Sequence, residues 1–439
     1  MRGVWRQIGS FDRCLRLLMV NQLGINLGFY MLMPYLANHL SSGLGMAAWT
    51  VGLVLGVRTL SQQGMFLVGG ILADRLGYKT MIVAGCGLRT IGFALLGVVS
   101  DLPMLLAAAV ATGLAGALFN PAVRAYVAAE AGQRRVEAFA MFNVFYQAGI
   151  LIGPVVGLAL ISLNFRVVCL SAAMIFLLLT VVQMRALPAR SAPPQPGRRA
   201  GLGGVRTDWR QVVSNRSFLL FSMAMIGSYV LSSQIYLALP LQATRVLGRG
   251  GDVGSSALFA LSAVVAVIGQ LRLTAWARRR WNSGKAIAVG LALMTAAFLP
   301  LAATAGVRAQ DGSLAMAAVA IVPTLIATLL LTLGTVVAYP FEMDTIVALA
   351  RDRLVATHYG LYNTFAGIGI TVGNLATGAA WGLAQRWEIP ALPWLVLIAT
   401  GAACATAVAG MARSRRLEPG SQAAVNPTSA AVPEGAVSR

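Results

Sequence analysis

The stretch "VGGILADRLGYKTMI" (residues 68–82) places three charged side chains between two long apolar segments. Asp74 and Arg75 end the first segment, and Lys79 stands at the beginning of the second. Gly70 and Gly77 suit a close helix approach and a tight turn, because glycine lacks a Cβ atom. The pattern predicts a short charged loop that joins two apolar helices.

The composition of the whole chain extends this interpretation. Of its 439 residues, 58% are hydrophobic and 11% are charged, whereas a soluble domain has about 25% charged residues. Apolar runs of about 20 residues, long enough to cross a bilayer, recur along nearly the whole sequence. The alternating strands of a membrane β-barrel are not found. The sequence therefore predicts an all-α polytopic membrane protein.

Hydropathy predicts 12 transmembrane helices in two bundles of six, at residues 1–187 and 217–412. Residues 188–216, rich in Pro, Gly and Arg, form a predicted cytoplasmic linker, and residues 413–439 form a predicted disordered cytoplasmic tail. The predicted spans are 15–38, 48–72, 80–100, 103–128, 137–162, 165–187, 217–240, 255–276, 286–306, 314–340, 357–384 and 391–412.

The distribution of the charge indicates the orientation of these helices. The formal net charge is +20, and most arginines fall in loops on one side, as cytoplasmic loops do. Both termini are therefore predicted to be cytoplasmic, and nucleic acid is not an expected partner. The excess of arginine over lysine, 32 to 2, suggests a bacterial genome, and the predicted location is the bacterial inner membrane. The cysteines and histidines show no metal-ligand spacing, so we expect neither a metal nor a cofactor.

An internal similarity relates the two predicted bundles. "FNVFYQAGILIGP" (142–154) and "YNTFAGIGITVGN" (362–374) carry glycines at the same offsets from Asn143 and Asn363. Parallel repeats of this kind are one of the standard plans of secondary transporters. The sequence thus predicts two parallel six-helix pseudo-repeats.

Two motifs resemble the major facilitator superfamily. "GGILADRLGYK" is similar to the family's signature loop between helices two and three, with Tyr78 in place of the usual Arg. "GILIGPVVGL" (149–158) is similar to the antiporter motif of helix five, with Leu158 as the departure. The matching positions are Gly70, Leu72, Ala73, Asp74, Arg75, Gly77 and Lys79 in the first motif, and Gly149, Gly153, Pro154 and Gly157 in the second.

This resemblance covers residues 15–412 and implies the family's fold of 12 helices. Shorter stretches, among them "GVRTLSQQG" and "LRTIGFALLG", are similar to its drug:proton antiporters. The resemblance implies a monomeric secondary transporter for proton-coupled multidrug efflux, connected with antibiotic resistance, whose partners are small molecules, protons and lipids. It is not expected to be an enzyme. The alternatives are a facilitator or exporter of anionic or lipid-like metabolites and, less consistent with the motifs, a receptor or scaffold.

The charged loop has two possible roles. In the family, such a network latches the cytoplasmic side, and here Asp74 could accept hydrogen bonds from Arg75, Lys79 or the N–H groups of a helix N-terminus. Glu130 is the predicted second acid for Arg75. The alternative is a solvated charge cluster that only sets topology. In the second motif, glycines four residues apart permit close helix packing and Pro154 bends the helix.

Charged side chains within the spans are candidates for function. Arg89 lies ten residues beyond Lys79, about 15 Å along a helix, and Arg58 lies in the outer half of span two. Either could bind an anion or brace the helices. By the same count no acid falls at the middle of a span, and the helix-four arginine of many antiporters is absent, with Ala109 at its place. The candidates for proton coupling are Asp74, Glu342 and Asp344, the last two near the cytoplasmic end of span ten.

The substrate path is predicted to lie between the bundles. The family resemblance implies that spans one, four, seven and ten line it, and polar side chains recur there among aromatic ones. Such a mixture suits hydrophobic solutes, although these residues could also serve only as interhelical hydrogen-bond partners. The predicted cavity residues are Asn21, Gln22, Asn26, Tyr30, Asn120, Asn143, Tyr146, Gln147, Tyr229, Ser233 and Tyr236.

Overall fold

A computed structural model describes residues 8–189, 201–247, 251–305 and 314–417, and every regular element in these ranges is helical. The predicted tail beyond residue 417 and residues 190–200 of the predicted linker lie outside the described residues. The first group of helices comprises α1 (Arg13–Tyr30), α2 (Met33–Asn38), α3 (Ala48–Leu76), α4 (Tyr78–Val98), α5 (Leu102–Ala131), α6 (Arg135–Ile161) and α7 (Phe165–Ala186).

A single helix, α8 (Gly201–Val213), lies in the predicted linker. The second group comprises α9 (Arg216–Ser233), α10 (Ala238–Leu247), α11 (Gly251–Arg280), α12 (Ser283–Ala296), α13 (Leu299–Ala303), α14 (Leu314–Ala350), α15 (Val355–Arg386) and α16 (Leu392–Arg413). The two groups pack together chiefly through α3 against α15 and α6 against α11.

Ten helical stretches of the described chain are long and apolar enough to cross a membrane. One of them, residues 102–161, contains both α5 and α6, and α15 is not among the ten. A multi-pass helical membrane protein is therefore confirmed, while the count of 12 helices and the pseudo-repeat stay predictions.

The charged stretch that was predicted to be a loop is mostly helical. Helix α3 continues through Asp74 and Arg75 to Leu76, and α4 begins at Tyr78, so Gly77 alone joins the two helices. Gly77 adopts a φ of 93°, which an L side chain rarely tolerates. The charged side chains are consequently fixed on helix ends.

Helix α14 runs to Ala350 and is therefore ten residues longer than its predicted span, 314–340. Glu342 and Asp344 therefore lie inside this helix, towards the end at which they were predicted. Glu342 precedes the end of α14 by eight residues, about 12 Å at the rise of an α-helix. It is buried with hydrogen-bond partners on other helices, which makes an acid tolerable at this depth.

Candidate functional site: a cavity between two helix groups and a closed end

A cavity of about 490 Å³ lies between the two helix groups. Its walls come from the first group through α1, α5 and α6 and from the second through α9, α11, α14 and α15. Aromatic and aliphatic side chains, such as Phe142 and Leu331, share the walls with many polar ones. The predicted cavity residues that the structure brings together here are Gln22, Asn120, Asn143, Tyr146, Gln147, Tyr229, Ser233 and Tyr236.

Three predicted residues lie outside this lining. Asn26 and Tyr30 follow Gln22 on the same face of α1, but the glycines of α6 pack against that face. A Cβ atom at Gly149 would stand 2.6 Å from Asn26 Cβ, and one at Gly153 would stand 2.8 Å from Tyr30 Cβ. Asn21 is fully buried within the first group, where Gln183 Nε2 donates to its Oδ1 at 2.5 Å.

The same contacts give the helix-five motif its structural role. Gly149, Gly153 and Gly157 are buried on α6, and each lets the backbone of α6 approach α1 or the turn that follows it. The Tyr35 hydroxyl donates to the Pro154 carbonyl oxygen at 2.7 Å. The motif thus fixes α1 tightly to α6 at the wall of the cavity.

An acid and an arginine face the cavity from opposite groups. Glu342 on α14 is 3% exposed, and its Oε1 accepts hydrogen bonds from Tyr362 at 2.6 Å and Tyr229 at 3.1 Å. Arg124 on α5 donates to Asn363 Oδ1 at 2.8 Å and lies close enough to Glu342 to interact with it electrostatically. A carboxyl group and a guanidinium cation from opposite groups therefore lie at the same site.

Arg124 was not among the predicted site residues; it lies on the same helix as Ala109 but 15 residues later, at a different position from the family arginine. It lies within the predicted span 103–128, one helical turn after Asn120, and both residues line the cavity. A count of charged residues within each span would have found it. Gln270 on α11 was also missed; its Oε1 accepts from Asn143 Nδ2 at 2.6 Å and so joins the two groups beside the cavity.

The end of the bundle that contains Asp74 is closed, and Asp74 is the centre of the closure. Its carboxylate accepts from Thr357 N and Thr357 Oγ1, both at 2.7 Å, and from Ala356 N at 3.2 Å. Those amides belong to the first turn of α15, whose own N-cap residue, Leu354, supplies no side-chain bond. Asp74 therefore caps α15 from another helix, and the negative charge is favourable at that end of the helix dipole.

Neighbouring residues support this contact. Tyr78, which replaces an arginine of the family motif, donates its hydroxyl to Asp74 Oδ1 at 3.2 Å and is 2% exposed. At Gly70 a Cβ atom would stand 3.0 Å from Thr357 Cα and still closer to the Ala356 carbonyl, so only glycine permits this approach of α3 to α15. Arg75 forms an ion pair with Asp208 of α8 at 2.8 Å.

Two further ion pairs close the same end. Arg135 of α6 pairs with Asp352, in the segment between α14 and α15, and Arg278 of α11 pairs with Glu137 of α6 at 2.6 Å. Each pair joins the first group to the second. Glu130 and Lys79 are both half-buried at this end. Asp344 is also half-buried here, within electrostatic reach of Arg135 and Asp352 rather than in the cavity lining.

Comparisons with known proteins agree with this architecture. The family model described as Major Facilitator Superfamily matches residues 18–374. The chain belongs to the Major Facilitator Superfamily. The resemblance predicted from the two motifs is thereby confirmed, and the protein is a transporter that acts on small molecules.

Relatives of the transporter span nearly its whole length. An uncharacterized MFS-type transporter of Mycobacterium tuberculosis (strain H37Rv) is 52% identical over 96% of this chain and 97% of its own. The multidrug resistance protein MdtH of Shigella dysenteriae is 28% identical over 87% of this chain and 89% of its own. The crystal structure of the human organic anion transporter MFSD10 covers 90% of this chain and 99% of its own with a TM-score of 0.67; at 15% identity it supports the fold alone.

The two predicted intramembrane arginines of the transporter lie together, apart from the cavity lining. Arg89 on α4 is 6% exposed, and its guanidinium carbon lies 5.7 to 5.8 Å from the ring centres of Phe29, Phe119 and Phe176. The guanidinium carbon of Arg58 on α3 lies 4.7 Å from the centre of the Phe29 ring. Both cations therefore share one aromatic neighbour.

Proposed function

We propose that the transporter carries out proton-coupled efflux of hydrophobic or amphipathic drug-like compounds by alternating access. The observation that carries this proposal is Glu342, a buried acid that faces the cavity between the two helix groups. A carboxyl group can bind and release a proton, and its affinity for the proton changes when neighbouring charges and hydrogen bonds change. The similarity to the multidrug resistance protein MdtH supports drug-like cargo.

The proposed cycle assigns separate tasks to the two acids. Asp74 holds the gate, because its carboxylate is occupied by donors from α15 and lies outside the cavity lining. Glu342 carries the proton, because rocking of the first group, residues 1–187, against the second, 217–412, would separate it from Arg124 and expose it to the other side. Loss of that cation favours proton binding by the acid.

The arginine distribution supports the orientation in a bacterial inner membrane. The closed end contains Arg75, Lys79, Arg134 and Arg135, and short loops rich in such residues are cytoplasmic. In this arrangement the cytoplasmic gate is shut, both termini are inside, and the linker 188–216 joins two six-helix bundles on the same side. A monomer suffices, since the cavity is built from one chain.

The test is export from reconstituted liposomes under an imposed pH gradient. A fluorescent cationic dye and a fluorescent amphipathic acid serve as cargo, and lumenal pH is recorded in parallel. We expect gradient-dependent export by the wild type and its loss in Glu342→Gln, which keeps the size of the side chain but cannot bind the proton. Asp344→Asn, two residues further along the same helix, is the matched control and is expected to retain coupling.

Each alternative gives a different pattern. Wild-type export that ignores the gradient would contradict proton coupling, and loss of coupling only in Asp344→Asn would assign the proton to Asp344. Export of the acid without the cationic dye would favour a carrier of anionic or lipid-like metabolites, the second candidate, for which the buried Arg89 is the specific observation. Absence of flux for both cargoes would contradict efflux of such compounds altogether.

A further inference from the structure

We infer that Arg58 and Arg89, together with the Phe29 ring, form a binding site for the oxyanion head of an amphiphile, a carboxylate or phosphate carried on an apolar body. The site lies beside the substrate cavity rather than in its lining. The inference deepens the proposed function and rests on it in one respect, namely that the cavity takes amphipathic cargo.

The first argument is the absence of a counter-ion. Among the residues that the structure describes, neither Arg58 nor Arg89 forms an ion pair with an acid. The largest electrostatic neighbours of Arg89 are Cys86, Arg58, Tyr30 and Tyr146, none of which is a carboxylate. Arg58 is thus a second cation whose charge acts directly on Arg89, and like charges away from water destabilise each other.

The second argument is unused hydrogen-bonding capacity. A guanidinium carries five N–H donors in a planar fork that matches carboxylate and phosphate oxygens. In the described chain the Nε atoms of both arginines are buried without an acceptor, and the one hydrogen bond of the pair runs from Arg58 to Gln62 Oε1 at 3.0 Å. The aromatic rings offer π faces to the cations but no oxygen acceptors for these donors.

The third argument is the connection to the cavity. Tyr30 lies within electrostatic reach of Arg58 and also of Tyr146 and Tyr236, which line the cavity. A ligand could therefore rest its apolar body among the cavity aromatics and direct its anionic group past Tyr30. A membrane lipid is the other source of the same chemistry, because a phospholipid also carries an oxyanion head on an apolar body.

The test uses pyrenebutyrate and its methyl ester, which differ in the charge of one group. Binding is measured by fluorescence anisotropy with the purified full chain in nanodiscs of neutral phosphatidylcholine. We expect the acid to bind at least about tenfold more tightly than the ester, since charge-assisted bonds contribute that much. Arg58→Gln and Arg89→Gln should remove the preference while the affinity for the ester stays, and Arg272→Gln, an exposed arginine of α11, should change nothing.

A second series identifies the source of the anion. Replacing part of the phosphatidylcholine by phosphatidylglycerol should weaken pyrenebutyrate binding in an Arg89-dependent manner if a lipid head group occupies the site. Undiminished binding, together with export of pyrenebutyrate by liposomes, would assign the site to cargo. If Arg89→Gln does not elute as a monodisperse species, the preference for the acid is measured in Arg58→Gln and Arg89→Lys instead. Arg58 is only half-buried, so its replacement should disturb the fold less, and lysine keeps the charge of Arg89 but lacks the planar fork of donors.

The inference is overturned if the wild type binds acid and ester equally, or if Arg58→Gln keeps the full preference for the acid. Its failure is distinguishable from that of the proposed function. If the cationic dye is exported along the gradient but pyrenebutyrate binds no more tightly than its ester, only the anion site is refuted. If the preference for the acid depends on Arg58 but no export follows the gradient, only proton coupling is refuted.

Discussion

The substitution Asp74→Asn tests the gate most directly. It keeps the shape of the side chain and removes its charge, so the three donors of Ala356 and Thr357 would face a neutral acceptor or an amide nitrogen. A hydrogen bond to a charged group is worth about 1 kcal/mol more than a neutral one, and a charge at a helix N-terminus contributes up to about 2 kcal/mol. Since such terms are not additive, we expect the closed gate to lose about 2–4 kcal/mol relative to the open one.

A change of this size shifts the ratio of closed to open gates by about 30- to 1,000-fold. The assay is the distance between spin labels at two exposed positions near this end, Gln133 of the first group and Lys285 of the second, in a chain whose native cysteines are replaced. We expect the distance distribution to move to longer values in Asp74→Asn. An unchanged distribution together with wild-type export would refute the gate and leave the cluster with a purely topological role.

The other predictions concern single contacts. Tyr78→Phe removes one long hydrogen bond to Asp74 and should widen the same distances less than Asp74→Asn does, with a cost of about 1 kcal/mol. Gly153→Ala places a methyl group against Tyr30 and should lower the melting temperature through overpacking of about 1–3 kcal/mol; an unchanged melting temperature would contradict the close packing. Arg124→Gln loses the bond to Asn363 and should reduce export at least about tenfold at unchanged expression, with partial recovery in Arg124→Lys; wild-type export would exclude Arg124 from the cycle.

The sequence predicted helices well where their ends coincide with a change in polarity. It predicted side-chain contacts poorly where the two partners lie far apart along the chain. Helix α14 extends to Ala350 and carries the buried Glu342, whose hydrogen bonds come from Tyr229 and Tyr362. Hydropathy cannot register hydrogen bonds from other helices. Likewise, no local pattern could pair Arg75 with Asp208, which is separated from it by 133 positions.

In the candidate site, too, local spacing was predicted from the sequence and contacts between helices were not. Period-four spacing correctly put Gln22, Asn26 and Tyr30 on one face of α1, but a face can be shared between a cavity and a neighbouring helix. The glycines of α6 pack closely on Asn26 and Tyr30, so only Gln22 of the three reaches the cavity lining. This outcome depends on tertiary packing, which the sequence of α1 does not contain. The missed Arg124 is different in kind, since its position within a span was visible in the sequence.

Because Asp74 of α3 caps α15, the state of the gate affects the stability of the first turn of α15. Because Leu354 supplies no side-chain bond, opening the gate leaves the amides of Ala356 and Thr357 without their carboxylate, and the first turn of α15 becomes free to fray. Amide hydrogen exchange at these two positions should then report the fraction of time that the gate is open. Hydrogen exchange at the backbone would then report gate opening at single residues, without any attached label.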